Sequence, residues 1–286
     1  MRILFAGDEQ PYSAYALKEF SKLAMNTWAD VTLLGVQSGS AGAPAAPSLN
    51  LALNRYREEF LNSWEGEDSP YALNKWQYEW FPAADGLWEE RLVCRSSMKD
   101  FKVRLRTGNV TAGILGEAKD AGSDLIVLGC TRGGDCVWAG AAGVPQKVAA
   151  DADCSVLLVK EEQPISRILA CLDQTYISQA SLEILNQMVT IHGAALEVIG
   201  LNQGGGLKKE VYTRIIEIGD YYQDRGVKVT TRLTEVADLE NFLAQETQQD
   251  LLALWLGKKS LLTRFFPRDW LGRFVAKCQA SVLVMR

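Results

Sequence analysis

The chain has 286 residues, enough for about two domains of some 140 residues each, and its 48% hydrophobic and 23% charged residues are those of an ordinary globular protein. A net charge of −5 and a pI near 5.2 exclude a basic groove that tracks nucleic-acid phosphates. Six cysteines without a Cys-x-x-Cys pair and one histidine argue against a metal site, and no stretch reaches the roughly 20 apolar residues of a membrane helix.

Asp8 arrives too early for the apolar region of a signal peptide, so a cytoplasmic protein is expected. Ile3-Leu-Phe-Ala-Gly-Asp8 predicts a first strand, buried on both faces because its apolar residues follow one another without alternation. A helix follows over Tyr12 to Asn26, with Ala16, Leu17, Phe20, Leu23 and Ala24 on one face. Val31 to Val36 is the second strand, and Ser38 to Pro47 is a flexible loop. Leu49 to Trp64 is helical in pattern, and Trp76, Trp80 and Trp88 come after it, interleaved with Tyr78 and Phe81. The acidic residues around them oppose base stacking. Packing on the chain's own sheet and a protein interface, a homodimer included, both stay open for these aromatics. A helix over Thr111 to Ala121 precedes the fourth strand, Asp124 to Leu128, and Val156 to Val159 forms the fifth.

The pattern then repeats. Ile168-Leu-Ala-Cys-Leu-Asp173 and Leu196 to Leu201 lie 165 residues beyond the first and second strands. Asp250 to Leu254 and Val282 to Arg286 lie 126 beyond the fourth and fifth, so the first copy is longer by 39 residues. Helices are expected over Tyr176 to Ile191, Asp238 to Glu246 and Lys208 to Asp224, the last in the second copy only. The fold class is α/β, with two tandem doubly wound parallel sheets, Rossmann-like in strand order 3-2-1-4-5. The expected domains are 1–160, with an insertion at about 40–98, and 167–286, joined by a short linker from Lys160 to Ser166.

Ligands of open parallel sheets bind beyond the strand tips where the order reverses. That rule brings Asp8 and Gly129, at the ends of the first and fourth strands, to one crevice. Asp8 can accept hydrogen bonds from a ribose or adenine, or it can cap the helix that follows, and Asp173 shares this ambiguity. The loop from Cys130 to Pro145 is rich in glycine and leads into a helix, the material of a phosphate cradle. Cys130 and Cys136 within it are either the more reactive pair by position or plain unreacted loop thiols; Cys154, Cys171 and Cys278 sit in or beside apolar runs as small hydrophobes. His192 ends a predicted helix, where a cation complements the dipole.

Ile3 to Asp8, Asp124 to Gly129, Thr131-Arg132-Gly133 and Val156 to Val159 together resemble the signature blocks of the universal stress protein family. The resemblance covers both copies apart from the insertion. It implies ATP in the first copy, with Asp8, Val36, Leu128 and Gly129 on the nucleoside side and Gly133 and Gly143, nine residues apart, along the phosphates. The family's motif, Gly-x2-Gly-x9-Gly-[Ser/Thr], is broken here: Cys130 stands at its first glycine and Val144 at its closing hydroxyl. Arg132 either pairs with a phosphate in compensation or fills the pocket. In the second copy Leu261, Phe265 and Phe266 occupy the loop, so no nucleotide is expected there. The resemblance also implies that Ser155 to Val159 and Ser281 to Met285 pair within one chain. Three functions remain open: a non-catalytic stress-response protein binding a small ligand, a protein-interaction module without nucleotide, and a slow ATP hydrolase.

Overall fold

A computed structural model describes residues 1–39, 46–64, 69–71, 75–84, 87–95, 98–131, 137–138, 141–160, 164–172, 177–202, 209–235, 239, 250–256 and 268–286. Strand β1 (Arg2–Ala6) is followed by helix α1 (Pro11–Thr27), which opens on a proline whose missing N–H has no partner to lose in a first turn. Trp28 ends α1 in the left-handed region, at φ 47°, and its N–H donates to the Ala24 carbonyl. Gly193 closes the corresponding helix, α5 (Gln179–His192), in the same conformation without a side chain to crowd. The first half continues with β2 (Asp30–Gln37), α2 (Pro47–Asn62), β3 (Lys75–Ala84), β4 (Leu87–Arg95) and β5 (Phe101–Thr107). It closes with α3 (Val110–Ala121), β6 (Leu125–Gly129), β7 (Val137–Trp138), β8 (Ala141–Ala142), α4 (Val144–Asp151) and β9 (Ser155–Val159).

The second half comprises β10 (Arg167–Leu172), α5, β11 (Ala195–Asn202), α6 (Lys209–Gln223), β12 (Val229–Glu235), β13 (Leu251–Trp255), α7 (Arg268–Lys277) and β14 (Ser281–Met285). The expected helix over Asp238 to Glu246 lies outside the described residues apart from Leu239. Among the described residues no helix is long and apolar enough to cross a membrane.

Ten of the strands form one sheet, ordered β12-β11-β10-β13-β14-β9-β6-β1-β2-β5, and β3-β4 and β7-β8 pair apart from it. Within this ten-stranded sheet every pairing inside a half is parallel, and the pairing of β14 with β9 is antiparallel, with Val282 opposite Leu158 and Val284 opposite Val156. The two expected sheets are therefore joined edge to edge into one, because each half offers its fifth strand to the other. Two apolar layers cover the faces. One holds α1, α2, α5 and α6 around Phe5, Phe20 and Leu185; the other holds α3, α4 and α7 around Ile114, Val148 and Val275. Full burial of such side chains contributes about 2 kcal/mol each.

Contacts across the seam come in matched pairs. The Lys160 N–H donates to Ser281 Oγ at 3.1 Å, and the Arg286 N–H donates to Ser155 Oγ at 3.3 Å. Lys160 Nζ donates to the Val275 carbonyl of α7 at 2.9 Å, and Arg286 Nη2 to the Ala149 carbonyl of α4 at 2.7 Å. Each pair is related by the same 126-residue step. The basic residue after each fifth strand thus serves the C-terminal turn of the other half's last helix, whose carbonyls lack partners within the helix.

Two expectations about the insertion change. Helix α2 occupies the same place between strands as α6, so α6 is not peculiar to the second half. Leu49 and Leu53 of α2 pack against Gly35 of β2, where a Cβ would stand 2.9 Å from Leu53, and Tyr56 and Phe60 join Phe5 and Phe20 in the core. The segment beyond α2 contains a hairpin, β3 against β4, that sequence analysis did not anticipate. Its aromatic residues divide accordingly. Phe60, Trp64 and Tyr71 are buried, whereas Trp80 of the hairpin is 62% exposed.

Candidate functional site

The tips of β1 and β6 are adjacent: Ala6 pairs with Leu128, and Asp8 follows two residues later. Asp8 is 1% exposed, and its carboxylate is already engaged. Oδ2 accepts from the Tyr12 hydroxyl at 2.7 Å; Oδ1 accepts from Ser13 Oγ at 2.8 Å and from the Gln10 N–H at 3.2 Å. The last contact is the side-chain-to-backbone turn that aspartate favours ahead of a helix. Tyr56 of α2 donates to the Asp8 carbonyl at 2.6 Å. Of the two roles open to Asp8, organising the start of α1 is the one its hydrogen bonds perform.

Gly129 explains the closeness. A Cβ there would stand 2.6 Å from the carbonyl carbon of Tyr12, nearer still to its oxygen, and 2.8 Å from the Tyr12 ring. The glycine admits the first turn of α1 against the tip of β6, a competing reason for a residue expected to admit a ligand. Val36 and Leu128 are fully buried in the same layer as Tyr12, and Val36 is pressed by α3 at Gly113.

The phosphate end is built differently. Arg132 and Gly133 lie outside the described residues, as do Cys136, Asp173 and the second half's loop 257–267. Gly143 stands at the N-cap of α4 in the left-handed region (φ 71°), with Val144 buried and Pro145 in the first turn. The β7–β8 pair leads into this turn and carries Trp138, fully buried. Trp138 Nε1 and both amide atoms of buried Gln146 have no hydrogen-bond partner among the described residues. Such orphaned groups are costly and ordinarily meet a partner or a ligand.

Beside the loop sits Lys160, 1% exposed, its ammonium within reach of the Thr131 carbonyl (3.2 Å), the Val275 carbonyl and Cys130 Sγ (3.4 Å). It ties the start of the glycine-rich loop to the second half. Cys130 is buried; burial also pushes the Cys154 and Cys171 thiols up, to about 11 and about 12. His192 does end α5, and its Nε2 lies 3.0 Å from Glu19 Oε2 of α1.

Sequence reasoning missed Tyr12, Ser13, Tyr56, Lys160 and Gln146. A hydroxyl four and five residues after Asp8 was a readable signal for the first two. Tyr56 comes from a helix assigned to an insertion, and Lys160 was assigned to a linker. The fit to ATP is divided. The nucleoside end does not fit, since the aspartate is sheathed by Tyr12 and Ser13; the α4 N-terminus offers backbone donors and an orphaned amide.

No curated protein sequence matches the chain. Solved structures match its fold over almost the whole length. A universal stress protein from Archaeoglobus fulgidus DSM 4304 aligns with a TM-score of 0.59 and 14% identity, over 100% of this chain and 96% of that one. A functionally unknown protein from Pseudomonas aeruginosa PAO1 gives 0.58 and 16%, over 99% and 92%. The cytoplasmic domain of a prokaryotic cation chloride cotransporter gives 0.52 and 10%, over 99% and 94%. At these identities the likeness is one of fold. The sequence itself goes further: residues 1–160, more than half of the chain, match the model of the Universal stress protein family, and the chain belongs to that family.

Proposed function

We propose that this chain is a cytoplasmic stress-response protein of the tandem type, which acts without catalysis by presenting surfaces to partners while its first crevice is closed by its own residues. The carrying observation is Asp8. Three donors from the start of α1 occupy its carboxylate, so a ribose would have to displace the Tyr12 and Ser13 hydroxyls to reach it. The hairpin with exposed Trp80 is the partner surface, a second copy of the chain being one occupant.

A second reading, a nucleotide-binding protein with ATP in the first half, is favoured by the other end of the crevice. Gly143 is in the conformation a cradle needs, and the Gln146 amide has no partner. Binding would require the first turn of α1 to withdraw. Calorimetric titration of the purified chain with ATP separates the two. The first reading expects no saturable binding at millimolar nucleotide. Saturable binding lost in both Asp8→Ala and Gly143→Trp would overturn it in favour of the second, and multiple turnovers would establish a slow hydrolase.

A further inference from the structure

The ten-stranded sheet ends on β12 at one side and on β5 at the other, and the two edges are differently made. An open edge invites another strand to pair with it, and proteins guard such edges with charged side chains or with cover. β5 carries Lys102, Arg104 and Arg106, and the chain of the insertion reaches its start, where the Lys99 N–H donates to the Pro70 carbonyl at 3.1 Å and Tyr71 packs on Phe101. β12 reads Val-Thr-Thr-Arg-Leu-Thr-Glu, with Thr230, Thr231 and Leu233 exposed and its one basic residue, Arg232, held by Glu197 at 2.8 Å. Among the described residues β11 is its only strand neighbour.

The Leu196 N–H of β11 donates to the Lys228 carbonyl. By alternation Thr230 and Arg232 turn their backbone groups to β11, while Val229, Thr231 and Leu233 turn theirs outward. Helix α6 overhangs this edge. A Cβ at Gly200 would stand 2.6 Å from Ile215 and 2.9 Å from Leu233, so α6 and the Leu233 side chain share one face of the sheet. Tyr221, on the flank of α6 towards α5, donates to Glu183 at 2.8 Å. Tyr212 and Ile216, one turn apart, lie on the opposite flank, towards the open edge. They are 57% and 44% exposed, and Leu233 below them is 49% exposed.

We propose that β12 pairs antiparallel with β12 of a second copy of the chain about a two-fold axis, closing a dimer whose sheet has twice the ten strands. The seam between the halves is built the same way: β9 and β14 pair antiparallel while α1 and α5, on the face that α6 shares, meet through Glu19 and His192 at 3.0 Å. With the axis at Thr231, Val229 lies opposite Leu233 of the second copy and Thr230 opposite Arg232, so no like charges oppose one another. Helix α6 covers β11 and β12, which sets the two α6 helices about two strand spacings, some 10 Å, apart. That is the distance of packed helices, and it places the Tyr212 and Ile216 flanks between them. The proposal goes beyond the reading of the crevice and the hairpin and depends on neither.

Analytical ultracentrifugation of the full chain should show monomer and dimer in equilibrium, with no larger species. Thr231→Pro keeps the bonds to β11 and removes one N–H donor from each copy at the axis; the dissociation constant should rise about thirtyfold, for two hydrogen bonds lost. Ile216→Lys, at an exposed position, sets like charges between the helices and should raise it about tenfold or more. Val103→Pro is the control: Val103 lies opposite Leu33, 165 residues before the Val198 that faces Thr231, and its substitution should leave the dimer unchanged. Thr231→Cys should give a disulfide-linked dimer on mild oxidation, since a hydrogen-bonded antiparallel pair holds its Cα atoms about 5.5 Å apart, within disulfide reach. Should Thr231→Pro not fold, Ile216→Lys and Thr231→Cys carry the test. A monomer at millimolar protein overturns the proposal. So does a dimer indifferent to both Thr231→Pro and Ile216→Lys, which leaves the second copy to the hairpin. A growing series of species lost in Val103→Pro also overturns it, because β12 then meets β5 in an open chain.

Discussion

Two glycines of the candidate site make opposite demands, and replacing each by alanine separates them. At Gly129 a Cβ would lie 2.6 Å from the Tyr12 carbonyl carbon, against roughly 3.5 Å for comfortable contact, so the first turn of α1 must retreat by about 1 Å. Overpacking of that kind costs about 1–3 kcal/mol. The retreat also loosens the hydrogen bonds from Tyr12 and Ser13 to Asp8, about 1 kcal/mol each. Gly129→Ala should therefore destabilise by about 3–5 kcal/mol. At Gly143 the nearest atom to a Cβ is 3.9 Å away, and the cost is only that of holding alanine in the left-handed region, about 1–2 kcal/mol. Urea unfolding followed by tryptophan fluorescence gives both values. A double variant adding Tyr12→Ala should recover little, because two of the three atoms that crowd Gly129 belong to the backbone. Equal losses at the two positions, or full recovery in the double variant, would refute the steric account.

Three further outcomes follow from charge and burial. Burial alone would raise the Glu19 pKa, but hydrogen bonds from His192 and Lys22 outweigh it and hold the carboxyl below its ordinary 4.5. A depressed folded value contributes stability that is present above about 4.5 and lost as pH falls through the lower folded value; Glu19→Gln should lower the urea midpoint at pH 6 and converge on wild type in acid. Glu117 is buried under Arg104 and Arg106, which reach water themselves, so Glu117→Gln should cost only about 1 kcal/mol, read from the same unfolding curves. The raised pKa values of Cys154 and Cys171 predict that neither is alkylated at pH 8 until the chain unfolds, which peptide mass mapping after iodoacetamide treatment checks.

The strands were the legible part. Val31 to Val36 became β2, from Asp30 to Gln37, and Asp124 to Leu128 became β6, from Leu125 to Gly129, because strands buried on both faces leave unbroken apolar runs. The hairpin was missed although Trp76, Tyr78 and Trp80 alternate with Gln77 and Glu79, and Asp85-Gly86 is a turn-forming pair. Aromatic side chains there suggested packing before they suggested a period of two. Helix α2 was assigned to the insertion because chain length between strands, not the helix itself, differs between the halves. The engagement of Asp8 by Tyr12 and Ser13 was illegible for another reason. Whether Asp8 meets a ligand or Tyr12 depends on how near α1 lies to β6, a distance no motif encodes.

The antiparallel union of β9 and β14 has a consequence for how the molecule can change. In an assembly of two identical subunits, any substitution beside the symmetry axis appears twice, and both ends must tolerate it. Here one polypeptide supplies both sides, so Tyr15 and Ala180, or His192 and Thr27, drift apart without penalty at the opposite end. The dilution that separates subunits has no hold on this pairing either, since the partners share a backbone.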